Sequence, residues 1–516
     1  MKILLLRNSC NVASQAQIGY GLGVVATVIS NAGYNVRAID NNSFYKYYQE
    51  RDFAKAIRKY NPDVVGWSIT IHNAYESYRQ MKNFKAKFPN ILMLAGGVHM
   101  RHCSEEALRY GADIVVNYEA ETVIVPLLKH IETNGISRFR SGLDLVSGVS
   151  YLNTDGTMHI ATELPALENL DEVPIVNYDL INVEDYIKHG KEPGVFYVTG
   201  QRGCPFKCNY CYDEIQRGDK RVSSAEWMFN NAVDLQKRYD ISYLTIADNN
   251  FTFPRERAVE FCNRVIQSGL NKKLSFSCQT NVLFPLDQEL IKLMRKANFV
   301  RVNFGLERLT QYSLKRISKN NKYKNVRKAV KSVEENGIQP TIYMMIGFPF
   351  DNKEILEEEK GLFLDLGVQN DRYLLSVLCP TPGTTYYDRS PEMKEWYLNK
   401  REHLVFRAHF TNVLDLHATH LIKKNFFNLS VEVQKSLYDY YYFFKKRNHG
   451  SVLMKHTFVV DAVLKIDVVI AKISQALFYL SPTLEFVVFN RVKAVRYFLG
   501  SYFFHDNLVS SQEKAL

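Results

Sequence analysis

From residue 2 to residue 378 the chain alternates short apolar runs with amphipathic stretches, in two successive series. The first series of runs covers 2–6, 35–39, 64–69, 91–94 and 114–116, with helical patterns such as 21–31 and 74–88 between them. The second covers 195–199, 243–247, 274–278, 300–305, 341–346 and 373–378, separated by longer helical stretches. Strands alternating with helices specify parallel sheets whose crossovers pack on the sheet faces. The fold class is therefore α/β. Five strands suit a doubly wound Rossmann-like domain over residues 1–130, and six suit a partial barrel over 194–395. Between them, 131–193 reads as a connector. There Asp155-Gly156, a hairpin dipeptide, lies between apolar runs at 149–152 and 158–160, and Pro165 and Pro174 follow. From 396 to 516 the pattern is helical, at 430–447, 456–480 and 484–504.

On parallel sheets, ligands bind outside the carboxyl ends of the strands. The least ordinary residues of this chain fall there. After the first strand of the second series comes Gly203-Cys204-Pro205-Phe206-Lys207-Cys208-Asn209-Tyr210-Cys211, a C-x3-C-x2-C spacing with an aromatic before the third cysteine. Thiolates favour zinc and iron–sulfur clusters. A closed zinc site takes four ligands, usually as two close pairs. Cys10, Cys103, Cys262, Cys278 and Cys379 are scattered singly and supply no second pair. Three thiolates suit a 4Fe–4S cluster with one iron left open, and a zinc knuckle is the alternative. In the first series, Ser68 and Thr70 follow the third strand, and Gly96-Gly97-Val98-His99 follows the fourth. Paired glycines let backbone approach a ligand closely. No G-x-G-x-x-G with a downstream acid follows the first strand, which disfavours a dinucleotide.

The cysteine loop resembles that of the radical S-adenosylmethionine (SAM) enzymes. The first domain resembles the cobalamin-binding domain fused to many of them, on the helical stretch 21–33, Asp63-Val64-Val65-Gly66, the Gly96-Gly97-Val98-His99 turn and Asn117-Tyr118-Glu119-Ala120-Glu121. The likeness covers roughly residues 1–390. It implies that Cys204, Cys208 and Cys211 hold a 4Fe–4S cluster whose open iron chelates SAM, and that one electron then releases a 5′-deoxyadenosyl radical. Flavodoxin or ferredoxin is the implied electron donor. Asp248, in Asp248-Asn249-Asn250-Phe251, is the implied acceptor for the SAM amino group. Gln279 and Asn281 stand where many relatives carry arginine. Glu307, in Phe304-Gly305-Leu306-Glu307, is the implied acceptor for the ribose hydroxyls, although Arg308 follows where serine is usual. Gly347, in Gly347-Phe348-Pro349, would let backbone approach adenine, and Pro380-Thr381-Pro382-Gly383-Thr384 resembles a segment of the cobalamin-fused branch. Ser68, Thr70, Gly96, Gly97 and His99 are the implied cobalamin contacts. The D-x-H-x-x-G loop that supplies a cobalt-ligating histidine elsewhere is absent, which leaves His72 and His99 as the histidines on that rim.

The resemblance implies reductive SAM cleavage and modification of an unactivated carbon, first of all methylation, on a small-molecule or lipid-like substrate. Ring formation, ring contraction or oxidation are alternatives on the same architecture. No residue is assigned as catalytic beyond the cofactor contacts. The net charge of +11 is concentrated late, with 16 Lys+Arg against 9 Asp+Glu from Lys400 onward. Such a surface attracts anionic lipid, nucleic acid or an acidic substrate. An RNA-modifying enzyme is disfavoured by the single cysteines of the first domain and the helical tail. A non-catalytic cobalamin or iron–sulfur carrier is disfavoured by the ordered series of SAM-type strand ends. Scattered cysteines, an oxygen-labile cluster and no long apolar run imply a cytoplasmic protein, with peripheral membrane contact open. The aromatic run Tyr438 to Phe444 beside Lys445, Lys446 and Arg447 reads either as packing on the barrel or as a lid over an amphiphilic substrate. His409, His417 and His420 have no visible partner.

Overall fold

The computed structural model describes residues 1–8, 17–43, 48–163, 165–188, 194–211, 220–283, 286–368, 372–391 and 429–453. Cys10, His409, His417, His420 and the helical patterns at 456–480 and 484–504 lie outside the described residues.

The first sheet runs through β1 (Lys2–Arg7), β2 (Asn35–Asp40), β3 (Val64–Ser68), β4 (Leu92–Gly96), β5 (Ile114–Val116), β6 (Val149–Leu152) and β7 (Met158–His159), in the order β2-β1-β3-β4-β5-β6-β7. Pairing is parallel from β2 to β5 and antiparallel beyond. Strand order reverses between β1 and β3, which makes a crevice at their carboxyl ends. Local chemistry sets the helices between. Gln49 and Asp52 form a capping box on the helix Glu50–Tyr60, and Asn61 ends it in the left-handed region at φ 48°. The β6–β7 hairpin, expected as part of a connector, instead extends this sheet, so the sheet's sequence span passes residue 130.

The second sheet contains β8 (Tyr197–Val198), β11 (Tyr243–Ile246), β12 (Ser275–Thr280), β13 (Phe299–Glu307), β14 (Gln339–Ile346) and β15 (Tyr373–Val377), all parallel and neighbouring in chain order. A separate antiparallel pair, β9 (Gln201–Arg202) with β10 (Arg221–Val222), brackets the cysteine loop. Along β14, Pro340, Ile342, Met344 and Ile346 are buried, while Gln339, Thr341, Tyr343 and Met345 are half-buried. The buried row packs beneath the helices, and the other row lines the concave face of the partial barrel.

The helix Val431–Leu453 closes the barrel's β15 side. Ser430 Oγ accepts from Val433 N at 3.3 Å at its start. Leu437, Tyr440, Tyr441 and Phe444 are buried, and the Phe444 ring meets Phe363 at 4.5 Å and Tyr373 at 5.1 Å. The described part of the aromatic run is therefore barrel core rather than a lid.

Candidate active site

The cysteine loop leaves β9 through Gly203 at φ 78°, a value that L residues rarely adopt. Cys211 N donates to Cys208 O at 3.0 Å and folds the second half of the loop into a turn. Cys208 is buried, and Cys204 and Cys211 are partly accessible. Burial pushes the Cys208 thiol up, while Lys319 and the Tyr210 hydroxyl act against that shift. Lys319 is itself buried, donates to Tyr210 OH at 3.3 Å and lies 3.8 Å from Glu307 Oε1. The sequence carried no local signal for it.

The donor set of the loop limits what it can hold. A closed tetrahedral zinc site takes four ligands, and this loop supplies three thiols. Elsewhere among the described residues, His99, Cys103 and Glu106 bring three candidate ligand atoms within 4.8 Å of one another. Three thiolates from one loop suit the corners of a 4Fe–4S cube with one iron left open. Two orphaned groups stand next to them. Asn250 Nδ2 lies 3.6 Å from Cys204 Sγ, and its buried Oδ1 has no hydrogen-bond partner. Gln201 Oε1 accepts from Asn250 N at 3.0 Å, while its buried Nε2 is unpartnered.

The barrel strand ends converge on this loop, with different duties. Asp248 is fully buried, accepts from Gly200 N at 2.6 Å and pairs with Arg257. Its carboxylate is thus turned into the protein, and the neighbouring amide with spare capacity is Asn250. Gln279 is half-buried at the end of β12, and its carbonyl accepts from Phe251 N at 2.9 Å. Asn281 Oδ1 accepts from Leu283 N at 3.0 Å. Glu307 ends β13 at φ 63°, and burial pushes its carboxyl up against the opposing pull of Lys319 and Arg308. Arg308 is fully buried, pairs with Asp351 and lies 5.0 Å from the Phe348 ring centre. Asp351 also accepts from Gly347 N at 2.8 Å and Phe348 N at 3.0 Å. Arg308 thus ties the end of β13 to the turn after β14. Gly347 sits at φ 86° in that turn.

At the first sheet's rim, Asn73 gathers the crevice. It donates to Asn8 O at 3.2 Å and Ser68 O at 3.1 Å, and accepts from Thr70 N at 2.8 Å. Gly97 has φ 99°, and a Cβ there would lie 2.4 Å from Ile69 O. This glycine is required by the protein's own backbone, whereas a Cβ on Gly96 meets nothing closer than 4.0 Å. His99 is buried and points at Cys103 and Glu106. Burial alone would lower its pKa, but Cys103 and Glu106 push it up to about 10.

Residues 198–360 match the radical SAM superfamily and residues 11–128 match the B12 binding domain. The chain is a radical SAM enzyme with a B12-binding domain. An uncharacterized methyltransferase of Pyrococcus horikoshii is 28% identical to this radical SAM enzyme over 396 residues, covering 75% of this chain and 83% of that protein. The anaerobic magnesium-protoporphyrin IX monomethyl ester cyclase of Cereibacter sphaeroides is 26% identical over 352 residues, covering 68% of this chain but 56% of the cyclase. In fold, the chain is similar to the radical SAM methyltransferase TsrM of Kitasatospora setae, solved with cobalamin and a [4Fe-4S] cluster. The TM-score is 0.61 at 16% identity, over 76% of this chain and 78% of that one.

Proposed function

We propose that this chain cleaves SAM reductively and methylates an unactivated carbon of a small-molecule or lipid-like substrate, with cobalamin as the methyl carrier and flavodoxin or ferredoxin as electron donor. The observation that carries the reading is the three-cysteine loop beside the unpartnered atoms Asn250 Oδ1 and Gln201 Nε2, in the same chain as a doubly wound B12-binding domain. When bound, the cluster supplies the electron that turns SAM into a 5′-deoxyadenosyl radical, and cobalamin supplies the methyl group.

Cys204, Cys208 and Cys211 hold the cluster in this reading. Asn250 Oδ1 accepts from the SAM amino group, while Asp248 acts behind it by fixing Gly200 and Arg257. Glu307 accepts from the ribose hydroxyls, a task its partial isolation beside Lys319 suits. Gln279 and Asn281 flank the methionyl end, and Gly347 leaves room for adenine. Ser68, Thr70, Gly96 and Gly97 cradle cobalamin. His99 shapes the cradle without reaching cobalt, because Cys103 and Glu106 occupy its ring.

The test uses anaerobically reconstituted protein with hydroxocobalamin, dithionite and SAM. About four irons per chain and formation of 5′-deoxyadenosine are expected, and Cys208→Ala loses both. Stoichiometric zinc without 5′-deoxyadenosine would sink the assignment. The match to a cyclase supports ring formation as a second reading. Methyl transfer yields S-adenosylhomocysteine alongside 5′-deoxyadenosine during turnover, whereas ring formation yields 5′-deoxyadenosine alone.

A further inference from the structure

The cysteine loop begins and ends on two arginines that face each other. In the β9–β10 ladder, Arg202 pairs directly with Arg221, and Gln201 with Val222. A two-residue antiparallel pair has little stability of its own, and like charges directly opposite one another oppose it further. The compensation comes from the B12-binding domain. Glu119 accepts from Arg221 through both oxygens, at 2.6 and 3.0 Å, and pairs with Arg202 at 2.8 Å. Glu121 pairs with Arg202 through its other terminal nitrogen. Glu119 also accepts from Leu167 N at 2.7 Å, and Arg221 donates to Leu167 O. The two guanidinium groups are 20% and 10% exposed and the two carboxylates 9% and 13%, so this is a balanced, largely desolvated set of four charges. Pairs of this kind are costly to break from one side, because the surviving charge stays buried.

The location gives the network its meaning. Glu119 follows β5, on the same carboxyl rim as Ser68, Thr70, Gly96 and Gly97. Arg202 stands two residues before Cys204. One carboxylate therefore links the rim of the B12-binding domain to both feet of the loop that carries the three cysteines.

We propose that Glu119, with Arg202 and Arg221, is a positioning residue that makes cluster retention depend on the B12-binding domain, so that cobalamin binding and cluster retention strengthen each other. The inference rests on the cofactor reading above. Linkage is reciprocal: the factor by which bound cobalamin stabilises the loop equals the factor by which an ordered loop tightens cobalamin.

The experiment follows bleaching of the iron–sulfur absorption under a ferrous chelator, with and without saturating hydroxocobalamin, in the full chain. In the wild type, cobalamin is expected to slow bleaching about fivefold or more, the lower bound of ordinary coupling. In Glu119→Gln that protection falls towards onefold, while gel-filtered protein still retains cobalamin and the circular dichroism is unchanged. Arg221→Gln, which leaves the rim intact, gives the same loss, and Arg221→Lys restores part of the protection. Equal protection in wild type and both glutamine variants would overturn the inference and leave the cofactor reading standing. A wild type that binds neither four irons nor cobalamin overturns the cofactor reading and the inference with it.

Discussion

Arg308 and Gly97 show how single positions are dictated by neighbours remote in sequence. Arg308 has Nε and Nη1 without partners among the described residues, and spends its remaining terminal nitrogen on Asp351. Arg308→Met leaves the Asp351 carboxylate buried without a counter-charge, an expected loss of about 3–5 kcal/mol. Pairing it with Asp351→Asn is expected to recover a substantial part, and urea denaturation of the two variants checks this. Gly97→Ala places a Cβ against the Ile69 carbonyl at a positive φ. It is expected to destabilise the first domain by about 1–3 kcal/mol even without cobalamin, as measured by the same method. The sequence displayed the cysteine trio because ligands in one loop must be close in the chain. It did not display the Asp248–Arg257 and Arg308–Asp351 pairs, since an ion pair between a strand end and a separate turn or helix leaves no periodic trace.

At the scale of elements, the long runs were legible because parallel strands covered on both faces are continuously apolar. Val64-Val65-Gly66-Trp67 is buried throughout in β3. The two-residue strands β8, β9 and β10 are too short to carry a period, and the β6–β7 hairpin gave no hint of which sheet it would join. The helix Met100–Arg109 bends at Cys103, where φ is −130° and ψ is 30°. His99 and Glu106 flank that bend, and Tyr387 approaches it from beyond β15. Because the folded pKa of His99 is raised from 6.5 to about 10, its contribution is fully present below pH 6.5 and is lost as pH rises through about 10. The melting temperature of the wild type is therefore expected to fall between those limits more steeply than that of His99→Gln. Parallel slopes in a thermal-melt series would contradict it.

For the whole molecule, the described tail helix behaves as part of the barrel. Tyr373 OH donates to Phe444 O, and the Phe444 ring is fully buried. Phe444→Ala is expected to cost about 3–5 kcal/mol, read from chemical denaturation. Deleting residues 429–516 uncovers Phe363 and Tyr373, so aggregation of the truncated chain is expected by light scattering. A monodisperse truncated protein with an unchanged melt would show the helix to be dispensable. No helix among the described residues is long and apolar enough to cross a membrane. The double anchoring of the cysteine segment also bears on evolutionary freedom. Between two fixed ends, doubling the length of a connecting segment adds only about 0.6 kcal/mol of closure entropy. Insertions between Cys211 and Arg221 should thus accumulate at little thermodynamic cost, while Arg202 and Arg221 remain fixed.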